Sequence, residues 1–308
     1  MASSLASGII SGDGFITFNV PSLPEKPCQT YYKIIGTLTS GVIPLIVLHG
    51  GPGVNHEYLL PFADIGVPLV LYDQIGAGKS THYPEKMGDT SFWTEQLFLD
   101  DLNNVIHNLG LQGGYNLAGH SWGGMLAARH AVLQPKGLKR LIIMSSPADM
   151  KLWMEAQDRL KKQLPQETQD IIDKHEKNGT TESEEYQGAM GVFYERFLCR
   201  LKPMPELVTQ ALAQIASDPT VYLTMNGPSE FHVTGLLANW TIIEDAHKIN
   251  VPTLITNGQY DEAQDEVIAP FFKEIPRVKW IRFEKSSHMP HFEERERYMK
   301  EMKAFLRY

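Results

Sequence analysis

Leu117-Ala118-Gly119-His120-Ser121-Trp122-Gly123-Gly124 joins an apolar run, which starts at Tyr115, to an alanine-rich stretch with helical character. Its centre is a Gly-x-Ser-x-Gly pentapeptide. A serine placed on a sharp strand-to-helix turn needs small neighbours, because a Cβ on either side collides with the backbone doubling back, and Gly119 and Gly123 supply that room. The helix that follows points its unpaired N–H groups and positive dipole end at Ser121. The stretch therefore reads as a nucleophile elbow, with Ser121 as the candidate nucleophile.

Upstream, Ile43-Pro44-Leu45-Ile46-Val47-Leu48 and residues 67–72 are short continuous apolar runs, the pattern of strands buried on both faces of a parallel sheet. The first ends in His49-Gly50-Gly51-Pro52-Gly53, which presents backbone rather than side chains, the material of an oxyanion hole. The second leads into Asp73-Gln74-Ile75-Gly76-Ala77-Gly78-Lys79-Ser80. A phosphate-loop reading of that stretch fails because Asp73 stands where the first glycine belongs, and the dinucleotide fingerprint fails at Thr81. The loop is expected to be structural and to pack beside the elbow.

Two strands, 14–20 and 30–37, open the chain around a proline-rich turn. Helices are expected at 92–109 and 124–133, and strands at 115–118 and 138–144. From 147 to 240 the rhythm changes to amphipathic helices (152–164, 166–177, 184–200, 205–215) without buried-strand runs. The aromatics Trp153, Tyr186, Phe193, Tyr194 and Phe197 are assigned to the core of that segment, and the acidic run 182–185 to a solvated face. Alternation then resumes with strands at 252–257 and 278–283 and helices at 267–275 and 294–306. Strand and helix in turn imply a mostly parallel central sheet with helices on both faces. The expected layout is a core of residues 1–146 and 241–308 with a helical cap inserted at 147–240.

With 308 residues, 43% of them hydrophobic, the chain can bury a large core. A net charge of −8 without clusters of Lys and Arg argues against nucleic acid or an anionic membrane as partner. No apolar run reaches membrane-helix length, and residues 1–14 lack the basic region of an export signal. A cytoplasmic protein is expected, with Cys28 and Cys199 reduced. Nothing implies a cofactor or metal, since neither a His-x-x-x-His nor a Cys-x-x-Cys pair is present. Oligomeric state is open.

A serine hydroxyl needs a base, and the base needs an anion that fixes its tautomer. After such an elbow the acid and then the histidine follow in loops beyond late strands. Asp261, in Gly258-Gln259-Tyr260-Asp261-Glu262, and His288, in Ser286-Ser287-His288-Met289-Pro290, fill those places. His291 shares the second loop and His120 sits inside the elbow. Glu262 competes as the orienting acid; Asp261 is preferred because it comes first after the strand, which leaves Glu262 needing another role.

Taken together, His49-Gly50-Gly51-Pro52-Gly53, Asp73-Gln74-x-Gly76-x-Gly78-x-Ser80, Gly119-His120-Ser121-Trp122-Gly123-Gly124 and Gly258-x-Tyr260-Asp261-Glu262 resemble the proline iminopeptidase family of α/β-hydrolases, including the tricorn-interacting aminopeptidase type. With the His288 loop, the matching motifs span nearly the whole chain. The resemblance implies an α/β-hydrolase fold, a triad of Ser121, Asp261 and His288, and an oxyanion hole from the N–H groups of Gly51 and Trp122. It also implies that Glu230, in Asn226-Gly227-Pro228-Ser229-Glu230-Phe231, and Glu262 bind the substrate's free α-amino group. An ammonium withdrawn from water needs such anions. The implied activity is release of an N-terminal residue from a small peptide, amide or arylamide through an acyl-enzyme. The alternatives are an esterase, thioesterase or lactonase of the same fold, or a binding protein that has lost the chemistry.

Overall fold

The computed structural model describes residues 11–39 and 41–307. Residues 1–10, most of the stretch read above as lacking an export signal, lie outside the described part. The first hairpin pairs β1 (Gly12–Phe18) with β2 (Cys28–Ile35) from Gly12↔Ile34 to Phe18↔Cys28. Both strands start and stop about two residues earlier than the sequence suggests. The ladder ends before Pro21, Pro24 and Pro27, which have no N–H to extend it.

The chain continues through β3 (Leu45–Leu48), a 3₁₀ segment at Glu57–Ile65, β4 (Leu69–Tyr72), α1 (Glu95–Asn108), β5 (Tyr115–His120), α2 (Trp122–Val132) and β6 (Leu138–Met144). It then enters the helices α3 (Met150–Lys161), α4 (Gln166–Asn178), α5 (Glu184–Phe197), α6 (Glu206–Ser217), α7 (Thr220–Met225) and α8 (Ile243–Ala246). β7 (Thr253–Gly258), α9 (Asp265–Glu274), β8 (Val278–Phe283), α10 (Pro290–Glu293) and α11 (Arg295–Arg307) complete it.

The eight strands form one sheet in the order β1-β2-β4-β3-β5-β6-β7-β8. β2 runs antiparallel to both β1 and β4, and the pairings from β4 through β8 are parallel. Every residue of β3, β4, β5 and β7 is buried, and β3 and β4 are accordingly unbroken apolar runs rather than alternating ones. Successive residues still point opposite ways. Leu45, Val47, Leu69 and Leu71 pack with Phe62 and with Tyr298 and Met302 of α11. Ile46, Leu48, Val70 and Leu117 pack on the other face with Val105 of α1, Leu126 of α2 and Phe271 of α9. Helices thus cover both faces, the α/β arrangement expected.

The helical excursion leaves and returns at one point. Asp149 and Thr241 form an isolated antiparallel bridge, and the flanking bonds Met150 N–H to Trp240 O (3.0 Å) and Ile242 N–H to Ala148 O (3.0 Å) hold exit and re-entry side by side. Between them lies a separate apolar cluster that includes Leu160, Ile172, Tyr186, Phe193 and Phe197. Side chains at Asp149 and Ser183 cap α3 and α5 by accepting the N–H of Leu152 and Tyr186.

Candidate active site

Ser121 sits between the last residue of β5 and the first turn of α2 with φ 54° and ψ −124°, a backbone conformation that costs on the order of 1–3 kcal/mol and persists only where surroundings enforce it. Enforcement is visible. The Ser121 N–H donates to Met144 O at 2.9 Å, and the Ser121 carbonyl accepts from Gly124 at 2.8 Å. A Cβ on Gly119 would strike the backbone of Gly123, and one on Gly123 would lie 2.6 Å from His49 O. The elbow and the loop after β3 are in backbone contact, as close as glycine allows.

That loop brings Gly51 beside Ser121. Neither the N–H of Gly51 nor that of Trp122, the first residue of α2, has a backbone or side-chain acceptor among the described residues. The loop is tied down on two sides. The Tyr58 hydroxyl accepts from Gly50 N–H at 2.7 Å and donates to His120 Nδ1 at 2.9 Å, while His120 Nε2–H donates to the His288 carbonyl at 2.8 Å. This chain needs His120 neutral, and burial holds its pKa well below the usual histidine range. On the other side, Gln74 donates through Nε2 to His49 O (2.9 Å) and accepts from the Trp122 indole (2.9 Å). The Asp73–Ser80 loop is thus a structural clamp: Asp73 accepts from His56 N–H and Lys79 N–H at 2.8 and 2.9 Å.

Asp261 is fully buried in the loop after β7. Its Oδ1 accepts from Ala263 N–H (2.8 Å) and from His288 Nδ1–H (2.7 Å), and its Oδ2 accepts from Gly258 N–H (3.1 Å). Glu262 contacts the same ring from the opposite edge, Oε1 lying 3.5 Å from His288 Nε2. Both candidates for the orienting acid therefore touch His288, and only Asp261 reaches Nδ1. Burial opposes a charge on His288, yet Glu262, Asp261 and Glu230 outweigh it and raise its pKa to about 9. His291 is also buried, with its pKa lowered to about 3 by burial, and lies behind His120 at a ring separation of 5.4 Å.

The helical excursion grips both loops. The Phe197 carbonyl at the end of α5 accepts the N–H of Glu262 and of His288, each at 3.2 Å, and buried Gln157 of α3 donates to Glu262 O at 3.0 Å. Glu293 accepts from Ser287 N–H and hydroxyl at 2.7 and 2.8 Å, fixing the histidine loop from below.

These elements surround a cleft of about 520 Å³, part of it open to solvent, that holds Ser121, His288, Gly51, Glu230 and Glu262. Glu230, just beyond α7, accepts from the Tyr222 hydroxyl at 2.6 Å. Burial raises the pKa of both glutamates, Glu262 well above the usual range, while the Tyr222 bond pulls Glu230 back down. Among the described residues lining the cleft there is no Lys or Arg. The remaining wall is apolar, with Val208, Ala211, Leu212 and Ile215 of α6 facing Val54 and Leu198. Tyr194 departs from the reading above: unlike Trp153, Tyr186, Phe193 and Phe197 it is only part-buried and lines the cleft. Tyr58 and Tyr222 carried no sequence signal, because lone tyrosines at these positions match no motif, and the helical spacing that marked Tyr194 pointed to the core instead of the cleft. No cluster of three potential metal ligands occurs among the described residues.

The profile of the alpha/beta hydrolase fold matches residues 43–295, which makes the chain an α/β-hydrolase. Proline iminopeptidase of Saccharolobus solfataricus is 37% identical over 90% of this chain and 88% of its own length. Among solved structures, proline iminopeptidase of Mycobacterium smegmatis superposes with a TM-score of 0.83 at 40% identity, covering 95% of this chain and 97% of that one. VinJ superposes at 0.91 with 43% identity, covering 97% and 99%. The chain belongs to the proline iminopeptidase family, and it is a hydrolytic enzyme of the serine-hydrolase type. Among the described residues no helix is long and apolar enough to cross a membrane.

Proposed function

We propose that this enzyme releases an N-terminal residue bearing a free amino group from a small peptide, amide or arylamide. One observation carries the reading: two glutamates, Glu230 and Glu262, face the cleft that holds Ser121, and no lysine or arginine among the described lining residues balances them. Two buried carboxylates with only the His288 ring as a cationic neighbour, and with Glu262 Oε2 lacking a partner among the described residues, leave room for a further cation. A proline nitrogen, as a secondary ammonium, has two N–H groups to offer two carboxylates.

The arrangement of the cleft supports the following steps. The substrate's ammonium docks on Glu230 and Glu262, which sets its carbonyl over Ser121. Ser121 Oγ attacks, His288 Nε2 takes the proton, and Asp261 holds Nδ1–H so that the receiving nitrogen stays free and the imidazolium is stabilised. Negative charge on the carbonyl oxygen is met by the N–H groups of Gly51 and Trp122, the second backed by the α2 dipole. His288 then protonates the leaving amine, and water cleaves the acyl-enzyme by the reverse route. Residues 147–240 act as the cap that brings Glu230 to the core. The free, buried cysteines, with Cys28 raised to about 12, fit a reducing cytoplasm.

Ser121→Ala should abolish turnover of proline arylamide while leaving the fold intact by circular dichroism; retained turnover would remove the proposal. The apolar wall formed by α6 favours an esterase as the second reading. Glu230→Gln separates them: it should cripple hydrolysis of free-amine substrates and spare acetate esters, whereas an esterase would show no such split.

A further inference from the structure

The contact between Glu262 and His288 falls on the wrong edge of the ring for a resting catalyst. Nε2 is the nitrogen that must accept the serine proton, yet Glu262 Oε1 stands 3.5 Å from it, and Oε2 of the same carboxylate is buried without a hydrogen-bond partner among the described residues. With Asp261 on Nδ1 and Glu262 on Nε2, the imidazole lies between two carboxylates. The groups facing it are few. Asp261 and Glu262 come from the loop after β7, Glu230 from beyond α7, His120 from the end of β5 with ring centroids 4.5 Å apart, and His291 from α10. Burial keeps both of those histidines neutral, and desolvation of the hydroxyls of buried Tyr222 and of part-buried Tyr194 keeps both as phenols. Among the groups that face it, the imidazolium of His288 is therefore the counter-ion within reach of Glu262.

We infer that in the substrate-free enzyme one proton is held between Glu262 and His288 Nε2, and that the substrate's ammonium, by taking Glu262 as its own counter-ion, expels that proton to solvent and arms the base. The inference rests on the amine-site reading above and deepens it. The free α-amine is then a switch for the chemistry as well as an anchor. Charge balances: the cleft gains the ammonium's positive charge and loses one proton. A substrate without an amine can occupy the cleft but meets a base that is already protonated.

Two measurements test this. The first is calorimetric binding of proline arylamide to the Ser121→Ala variant near pH 7.5 in buffers of different ionisation enthalpy. We expect about one proton released per site by this linkage, and none on binding to the Ser121→Ala, Glu262→Gln double variant. Tight binding with no proton release overturns the inference and leaves the amine site standing; equal binding of the N-acetylated compound overturns the amine site itself. The second uses the wild-type enzyme. Its kcat for proline arylamide should be level from about pH 7, whereas kcat/KM for an acetate ester should climb tenfold per pH unit toward about 9, where His288 loses its proton. In Glu262→Gln the ester limb should move down by at least about one unit, raising ester hydrolysis at pH 7 roughly tenfold. Parallel profiles for the two substrates in the wild type, or an ester limb unmoved in a folded Glu262→Gln, refute the inference.

Discussion

Replacing Tyr222 by phenylalanine isolates what holds Glu230 ready. The hydroxyl gives Glu230 Oε1 a bond of 2.6 Å, short as expected when the acceptor is charged, and it has no other partner among the described residues. Tyr222 is buried, so phenylalanine fills the same space and the change is confined to one oxygen. A hydrogen bond to a charged group contributes about 1.5–3 kcal/mol. Burial already pushes the Glu230 pKa up, and the Tyr222 bond opposes that push. Without the bond, Glu230 takes up a proton at a higher pH, and a neutral acid is a poor partner for an ammonium. At about 1.4 kcal/mol per unit, the acid limb of kcat/KM for proline arylamide should move one to two units alkaline, so that activity on the limb falls by up to about 10–100-fold and is recovered at higher pH. The assay is kcat/KM against pH for proline arylamide and for an acetate ester, wild type beside variant. An equal loss on the ester would mean that Tyr222 supports the fold rather than the amine site. An arylamide limb that stays in place would refute the electrostatic argument.

Gly123→Ala should lower stability by about 3 kcal/mol, roughly 6–12 °C in melting temperature, and abolish turnover, because its Cβ meets the backbone of Leu48 and His49; a thermal melt and an arylamide assay check this. Gln74→Leu leaves His49 O and the Trp122 indole without their buried partner, so kcat should fall and stability drop by about 1–3 kcal/mol per group, read by denaturant titration. Asp101 is fully buried between Thr30 and Ile75, and burial raises its pKa from 3.8 to about 7. The folded state therefore holds a proton that the unfolded chain gives up, so stability is complete below about pH 4 and is lost as pH rises to about 7, by at most about 4 kcal/mol. Asp101→Asn should flatten that dependence, and stability measured from pH 4 to 8 in both proteins would show it.

The sheet was legible because its central strands are buried on both faces, so Leu45–Leu48 and Leu69–Tyr72 are unbroken apolar runs that no surface element would show. The longer helices of the excursion were legible through their amphipathic spacing. The 3₁₀ segment at Glu57–Ile65 and the short helices α7, α8 and α10 were not, since four to nine residues give too few turns for a period to appear and the first carries Pro61 inside it. That omission hid Tyr58, whose hydroxyl joins the Gly50 loop to His120. The order of motifs along the chain pointed to Asp261 and His288, but spacing cannot say which edge of an imidazole a neighbouring acid meets. Glu262 therefore entered without a role from the residues themselves.

The same geometry explains why an acid adjacent in sequence to Asp261 can do different work. Asp261 turns inward onto the N–H groups of Gly258 and Ala263, which share its charge and leave it fixed as a partner for Nδ1. Glu262 turns the other way, its N–H given to Phe197 O and its own carbonyl taken by Gln157, so the backbone is pinned from the helical side while the carboxylate projects into the cleft. One loop thereby offers two carboxylates to one histidine at opposite edges, the inner one satisfied by the protein and the outer one short of a partner. Under the proposed function, a substrate cation in the cleft would complete the outer carboxylate alone. On the proposed reading, recognition of the amine and release of the base are a single electrostatic event, and a substrate that lacks the amine forfeits both.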